Sequence, residues 1–400
     1  MRTPEEAVSA IVERASPPRE REAVPLAEAA GRVLAREVLA DLDLPPFEKS
    51  AMDGYAVRSG DVSGEVRLRR LGESRAGEPW TGEVASGECI AIYTGAALPA
   101  SCDAVVMVEK SRREGSEVVL ADDPAPGQHV CHRGEDIHEG ERVLSPGRRL
   151  QARDLSLLAS VGCDPVQVFR RPRVSILTTG DELVAPSERP GPGQIREGNT
   201  LHLAAMARAA GAEVRIAGVV SDDPLSLREA FTEALEKGDV LISTGGVSMG
   251  EYDLVGAALL DCGVEQVFHK VAIKPGKPVW FGVRDRALVF GLPGNPVSCL
   301  VAHEVFVRPA LAKLAGAEPS EWAPRLRRAR WVGEPPRAIP RQQNLPVELG
   351  LGADGVLEAR PVRWRGSADL VGLSRAEALA VVPAGESLAT GSLCDLRPLG

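Results

Sequence analysis

The chain has 400 residues, 44% hydrophobic and 26% charged side chains, 4% aromatics and a formal net charge of −9. That length allows about two to four domains with sizeable cores. The acidic balance and the few aromatics argue against a nucleic acid as partner. No apolar stretch reaches the length of a membrane span, so no membrane is expected either. The opening Met1-Arg2-Thr3-Pro4-Glu5-Glu6 has no signal-peptide character, and seven scattered Cys fit no disulfide framework. A cytoplasmic protein with reduced thiols is the expectation.

In chain order, apolar spacing predicts helices over 4–14 and 25–39. Ala7, Val8, Ile11 and Val12 share one face of the first, and Leu26, Ala29, Ala30, Val33 and Leu34 one face of the second. From 47 to 139, short alternating runs (Val66–Leu71, Cys89–Tyr93, Ala104–Glu109, Glu117–Leu120) predict a β-rich module. Asp154–Val161, stopped by Gly162, reads as a helix expected to pack with the N-terminal ones, which makes the β module an insertion. Residues 172–315 alternate strand and helix. Strands are expected at Arg173–Thr178, Val214–Val220, Val240–Ser243, Gln266–Val271 and Leu288–Gly291. Helices are expected at Thr200–Ala210, Pro224–Lys237, Leu254–Asp261 and Pro296–Leu314, with Asn295 as an N-cap. This order predicts a doubly wound α/β sheet. Past 318 the pattern returns to β, at Trp331, Val347–Leu349, Val356–Val362 and Leu379–Val382.

Three apolar runs end in glycine-rich turns: Thr178-Thr179-Gly180-Asp181-Glu182, Ser243-Thr244-Gly245-Gly246-Val247-Ser248 and Gly291-Leu292-Pro293-Gly294-Asn295-Pro296. Such turns build ligand crevices beyond the carboxyl ends of parallel strands, where glycines let backbone N–H groups approach an oxyanion. Of 47 Lys+Arg only seven are Lys, and three fall together: Lys270, Lys274 and Lys277, in Lys274-Pro275-Gly276-Lys277-Pro278. A compact ammonium suits a tetrahedral oxyanion, and the prolines stiffen the loop. Acids recur after the strands: Asp181 and Glu182, then Asp222 and Asp223, then Glu251 and Asp253. On one rim of a parallel sheet they would suit a Mg²⁺ ion shared with a phosphate. Either Asp222 or Asp223 could instead cap the next helix. The His129–His138 loop matches no zinc spacing. Gly246-Val247-Ser248-Met249-Gly250 has the letters of a nucleophile elbow, but a hydrolase would leave the lysines and acids unexplained.

These stretches, with Ser50–Val57, Thr94-Gly95, Asp103–Met107 and Gly134–Ile137, run in the order found in the MoeA family of molybdopterin molybdenumtransferases, and the chain resembles that family, the gephyrin E domain included. The resemblance implies an α/β plus β fold with four domains. An elongated helical and β linker domain would span 1–46 and 140–171, an inserted β-rich domain 47–139, a doubly wound molybdopterin-binding α/β domain 172–317 and a β-barrel-like C-terminal domain 318–400. It also implies a homodimer in which the β-rich domain of the other subunit leans over the α/β site.

The implied reaction takes adenylylated molybdopterin and molybdate, assisted by Mg²⁺, and releases AMP. Contacts with the adenylyltransferase and with recipient molybdoenzymes would accompany it. Motif matching gives Asp53, Thr94, Asp136, Glu182, Asp222 and Asp253 the catalytic roles, with Glu182, Asp222 and Asp253 as metal ligands. Lys274, Lys277 and Ser367 would contact the oxyanion, and Pro293 and Pro296 would shape the turn. Gly180, Asp181, Gly245, Gly246, Ser248, Lys270, Pro278, Gly294, Asn295 and Arg341 complete the expected substrate-binding set. Three positions depart from the family pattern: Glu48-Lys49 before Ser50, Pro346 where a second arginine is usual, and Val371-Gly372 where two serines are. An adenylyltransferase acting on molybdopterin, and a non-catalytic pterin carrier or scaffold, are the alternative readings.

Overall fold

The computed structural model describes residues 1–17, 20–246, 254–324 and 326–399. The chain forms two compact units, one of Met1–Arg36, Pro146–Ala152 and Pro165–Gly400, the other of Glu37–Ser145 and Arg153–Asp164.

The larger unit is built on a six-stranded sheet. Helix α1 (Pro4–Arg14) precedes strand β1 (Arg173–Thr179), helix α2 (Asn199–Ala209), strand β2 (Glu213–Val220), helix α3 (Pro224–Lys237), strand β3 (Val240–Thr244) and helix α4 (Leu254–Asp261). Strands β4 (Glu265–His269), β5 (Trp280–Arg284) and β6 (Ala287–Leu292) follow, then helices α5 (Pro296–Ala302) and α6 (Arg308–Leu314). The order across the sheet is β2-β1-β3-β6-β5-β4. The first four strands are parallel, and β5 and β4 add an antiparallel edge.

Alternation along each strand sends successive residues to opposite faces. Ile176, Ile242 and Phe290 meet α1, α2, α5 and α6 on one side. Leu177, Leu241 and Val289 meet α3 and α4 on the other. Helices on both faces make the sheet doubly wound, as expected. A capping box starts α1: the Thr3 hydroxyl accepts from Glu6 N–H while the Glu6 carboxylate accepts from Thr3 N–H.

The expected helix over Pro296–Leu314 forms with a π-helical turn at His303–Val307 between α5 and α6. Pro309 supplies no N–H to the helix ladder, which accounts for the interruption. Strand β5 is not among the strands the sequence predicts, because Pro278 and Gly282 flank its short apolar run.

The C-terminal part closes into a barrel. Gln342–Leu351 pairs with both Leu357–Pro361 and Ala378–Val382, and Arg327–Trp331 and Leu393–Pro398 complete the ring. Trp331, Val347 and Leu396 fill it. The barrel-like expectation holds, and Leu393–Pro398 is a strand that the periodicity did not reveal. Ile273–Lys274, from the lysine loop, adds to the barrel beside Gln342-Gln343.

The expected helix over 25–39 does not form. Leu26–Glu28 makes one 3-10 turn, Gly31 has φ +75°, and the next residues run extended. Leu34 N–H donates to Arg148 O and Ala35 N–H to Gln167 O, so the backbone is satisfied by distant segments rather than by its own turns.

The second unit holds a six-stranded, mostly antiparallel sheet that contains all the β runs expected there. Tyr55, Leu68 and Val106 pack one face, and Ala56, Ile90 and Val105 the other. Helix Ala152–Ser160 belongs largely to this unit, against the expectation that it joins the N-terminal helices. Its stop, Gly162, turns at φ +67° close beside Asp41 of the same unit. No described helix is long and apolar enough to cross a membrane.

Phe290 is fully buried with its ring centroid 5.0 Å from that of Phe281. Phe290→Ala is expected to lower stability by about 3–5 kcal/mol. Urea unfolding measures it, and a loss under about 1 kcal/mol would contradict the packing described.

Candidate functional site

Register decides where the glycine turns go. Thr178 pairs with Thr244, and Thr244 with Leu292, so β1, β3 and β6 end at one level. Gly180, Gly245 and Gly294 therefore share a rim, beyond the carboxyl ends of the parallel strands. Gly245 (φ +96°) and Gly246 (φ +63°) carry the chain through conformations that side chains resist. A Cβ on Gly245 would collide with Thr179 O, and one on Gly246 would lie 2.5 Å from Val255 Cγ2. The rim opens into a cavity of about 960 Å³.

Of the residues singled out from the sequence, Gly180, Glu182, Asp222, Gly245, Gly246, Pro278, Pro293, Gly294, Asn295 and Pro296 line this cavity. Asp181 lies just behind, its Oδ1 accepting from Asp222 N–H at 3.2 Å. Ser367 is drawn in from the C-terminal part. Its hydroxyl accepts from Asn295 Nδ2 at 2.9 Å, and its carbonyl accepts from Val297 N–H at 3.0 Å. Asn295 thus holds the N-cap position of α5 without capping it through its side chain. Helix α7 (Leu370–Arg375) adds Leu370, Leu373 and Ser374 to the wall.

The lysines lie on the loop that ends at Pro278. Lys274 and Lys277 are exposed and Lys270 is half-buried with φ +76°. Cross-bonds pin the loop: Lys270 N–H to Val279 O at 2.9 Å and Val271 N–H to Lys277 O at 3.0 Å. Arg341 Nη1 lies 3.5 Å from Ile273 O, at the base of the same loop. Ser248 and Asp253 fall outside the described residues.

Asp53, Thr94 and Asp136 lie in the second unit. Asp53 Oδ1 accepts from both the N–H and the hydroxyl of Thr94, each at 2.8 Å. The backbone bond and then the hydroxyl bond hold the Asp53 carboxyl below the usual carboxylate range. Asp136 is exposed on a turn whose N–H donates to Leu44 O at 2.9 Å.

Electrostatics sorts the two acids after β2. Asp223 caps α3, accepting from Ser226 N–H at 2.9 Å, and that bond lowers its pKa. Asp222 faces the cleft instead, and its pKa is raised, first by partial desolvation and then by the negative charges of Asp181 and Glu182. Three carboxylates are thus crowded at one end of the cleft. Crowding of this kind is relieved by a cation. Among the described residues no three His, Cys, Asp or Glu side chains surround one point.

The sequence reading passed over Glu197, Asn199, His202 and the Pro190–Arg196 stretch, all of which contribute to the cavity. Asn199 Nδ2 donates to Gly294 O at 2.6 Å and to Thr244 Oγ1 at 3.3 Å, tying two of the glycine turns to α2. The Glu197 carboxylate accepts from Thr200 N–H at 2.8 Å and faces the Thr178 hydroxyl at 3.4 Å. A helix-entry signal was legible at Gly198-Asn199-Thr200, where a turn runs straight into an apolar helix.

Fold and site together define a protein of two compact units whose doubly wound domain opens a cleft lined by glycine turns at the carboxyl rim of its sheet. The chain belongs to the MoeA family. Family models match the MoeA N-terminal region (domain I and II) over residues 2–162, a probable molybdopterin binding domain over 175–313, and the MoeA C-terminal region (domain IV) over 334–399. It is 36% identical to a molybdopterin molybdenumtransferase of Nostoc sp., over 94% of this chain and 88% of that one. Identity is 38% to the Haemophilus influenzae molybdopterin molybdenumtransferase, over 79% and 78% of the two chains. A molybdopterin biosynthesis MoeA protein of Pyrococcus horikoshii has the same fold, with TM-score 0.86, 30% identity and full coverage of both chains.

The raised pKa of Asp222 sets the sign of a pH effect. The native chain keeps this proton to higher pH than the unfolded chain, so stability is lost as pH rises through the folded-state value. Asp222→Asn removes that loss. The variant is expected to unfold at a higher temperature than wild type at about pH 7, with the gap closing below about pH 4. Thermal melts at the two pH values test this, and a variant less stable at neutral pH would contradict the crowding.

Proposed function

We propose that this chain inserts molybdenum into molybdopterin, taking the adenylylated pterin and molybdate as substrates and releasing AMP. The single observation that carries the reading is the convergence of three glycine turns, an acidic cluster and a lysine loop at one end of one sheet. Relatives that match most of the chain bear the name of this activity.

In this reading the backbone N–H groups at Gly246 and Gly294 receive phosphate oxygens. Lys274 and Lys277, on a loop pinned by its own hydrogen bonds, attract and orient molybdate as point charges. Asn295 and Ser367 place hydroxyl and amide donors where the lysine loop meets the cleft. Cleavage is hydrolytic: a water oxygen bonds to phosphorus, the phosphoanhydride-like P–O bond to AMP breaks, and the displaced oxygen takes the electron pair. The proton of that water passes to a carboxylate at the acidic end of the cleft.

Mg²⁺ belongs to the proposal. Glu182, Asp222 and Asp253 are the residues that would hold it together with the substrate phosphate, and it would offset charge developing on the phosphate oxygens. Asp53, kept ionised by Thr94, is a second functional carboxylate. A homodimer, a cytoplasmic location, receipt of the adenylylated pterin from the adenylyltransferase and hand-over of the product to recipient molybdoenzymes complete the reading.

Single-turnover release of AMP tests it. Asp53→Asn and Asp222→Asn are expected to stay folded and to slow release about 100-fold or more. Normal release in both variants would overturn the assignment. Pyrophosphate formed from MgATP and molybdopterin would instead identify an adenylyltransferase, and no AMP from adenylylated pterin with molybdate would identify a carrier.

A further inference from the structure

A second cavity of about 550 Å³ opens in the larger unit, further along α2 toward its C-terminal end. Its walls carry Arg149, Arg308, Arg327 and Arg397 against only Glu304 and Glu321. Those charges sum to a surplus of two positive in a chain whose net charge is −9. Arg149 Nε lies 3.5 Å from the Glu321 carboxylate and Arg308 Nε 3.5 Å from that of Glu304, and Arg308 Nη1 donates to Glu321 O at 3.2 Å. Arg397 is 7% exposed, and among the described residues its Nε has no hydrogen-bond partner. Burial and then the charge of Arg308 push its pKa down. His303, 1% exposed, lies at the π turn beside Glu304, and its Nε2 also lacks a partner.

A guanidinium this buried is unfavourable unless an anion meets it. Arginine forks on different elements match the oxygens of a phosphate. Beside His202 and His303 the rest of the wall is apolar, with Met206, Leu300 and Leu399, and the volume suits a small organic ligand. We propose that this cavity is a separate binding site for a phosphate monoester, its phosphate held by Arg308 and Arg397 and its organic group against Met206 and Leu300. His202 lines both this cavity and the cleft, so an occupant here shares a wall with the site of the reaction.

The test uses the full chain carrying Lys274→Ala and Lys277→Ala, so that anion binding at the lysine loop is suppressed. Calorimetric titration with phenyl phosphate is expected to show one site per chain. Inorganic phosphate is expected to bind about fivefold or more weakly, and benzoate not measurably. Adding Arg397→Met is expected to weaken phenyl phosphate about tenfold or more. Absence of binding, equal affinity for inorganic phosphate, or affinity untouched by Arg397→Met overturns the proposal. Should Arg397→Met fail to fold, Arg327→Gln decides, because Arg327 is exposed. A loss of about threefold or more supports the site, and unchanged affinity refutes it.

Discussion

The parallel register of β1, β3 and β6 is the constraint on which the site depends. A parallel pair fixes the relative height of its strands, and a slip by one residue would invert every side chain. Here each strand is buried on both faces, by Ile176, Ile242 and Phe290 on one side and Leu177, Leu241 and Val289 on the other. The core thereby locks the level at which the strands stop. Because they stop together, three turns spread over more than a hundred residues become neighbours, and a Cβ on Gly294 would stand 3.6 Å from the Gly245 Cα. Side chains on Gly245 and Gly246 would strike Thr179 and Val255 and force the turns apart.

Charge is distributed around that rim with a clear division of labour. One end of the cleft carries Asp181, Glu182 and Asp222, crowded enough to disfavour ionisation of the last. The lysine loop lies by Pro278 at another part of the wall and is anchored on the barrel through Ile273–Lys274. The first region is negative and the second positive. Placing acids and ammonium groups in separate regions prevents them from neutralising one another, which keeps both available.

How far this was legible in the sequence follows from which interactions are local. Parallel strands buried on both faces read as continuous apolar runs, and their glycine stops mark the turns, so the sheet and its rim were visible. Asp223 as a helix cap was one of two readings, and geometry separated it from Asp222. The segment 25–39 misled because Leu26, Ala29, Val33 and Leu34 carry a helical spacing, while Pro25 and Gly31 interrupt it and the bonds to Arg148 and Gln167 come from far along the chain. Asn199 escaped because its role, bracing Gly294 and Thr244 from α2, exists only once the sheet is assembled. The barrel's closure escaped the residue pattern for the same reason, since Gln342–Leu351 must find two partners at once.

The π turn shows how a helix interruption serves more than one end. Pro309 removes a donor from the ladder, and the extra residue in the turn shifts the phase of what precedes it relative to α6. His303 is thereby buried beside Glu304, while Glu304 and Arg308 stay close enough to pair loosely. A tight Glu304–Arg308 pair would quench the positive potential of the second cavity. A loose one leaves it in place next to Arg397. His202 stands between the two cavities, and burial, then His303, favours its neutral form. A neutral imidazole can accept or donate on either side without adding charge to either cavity.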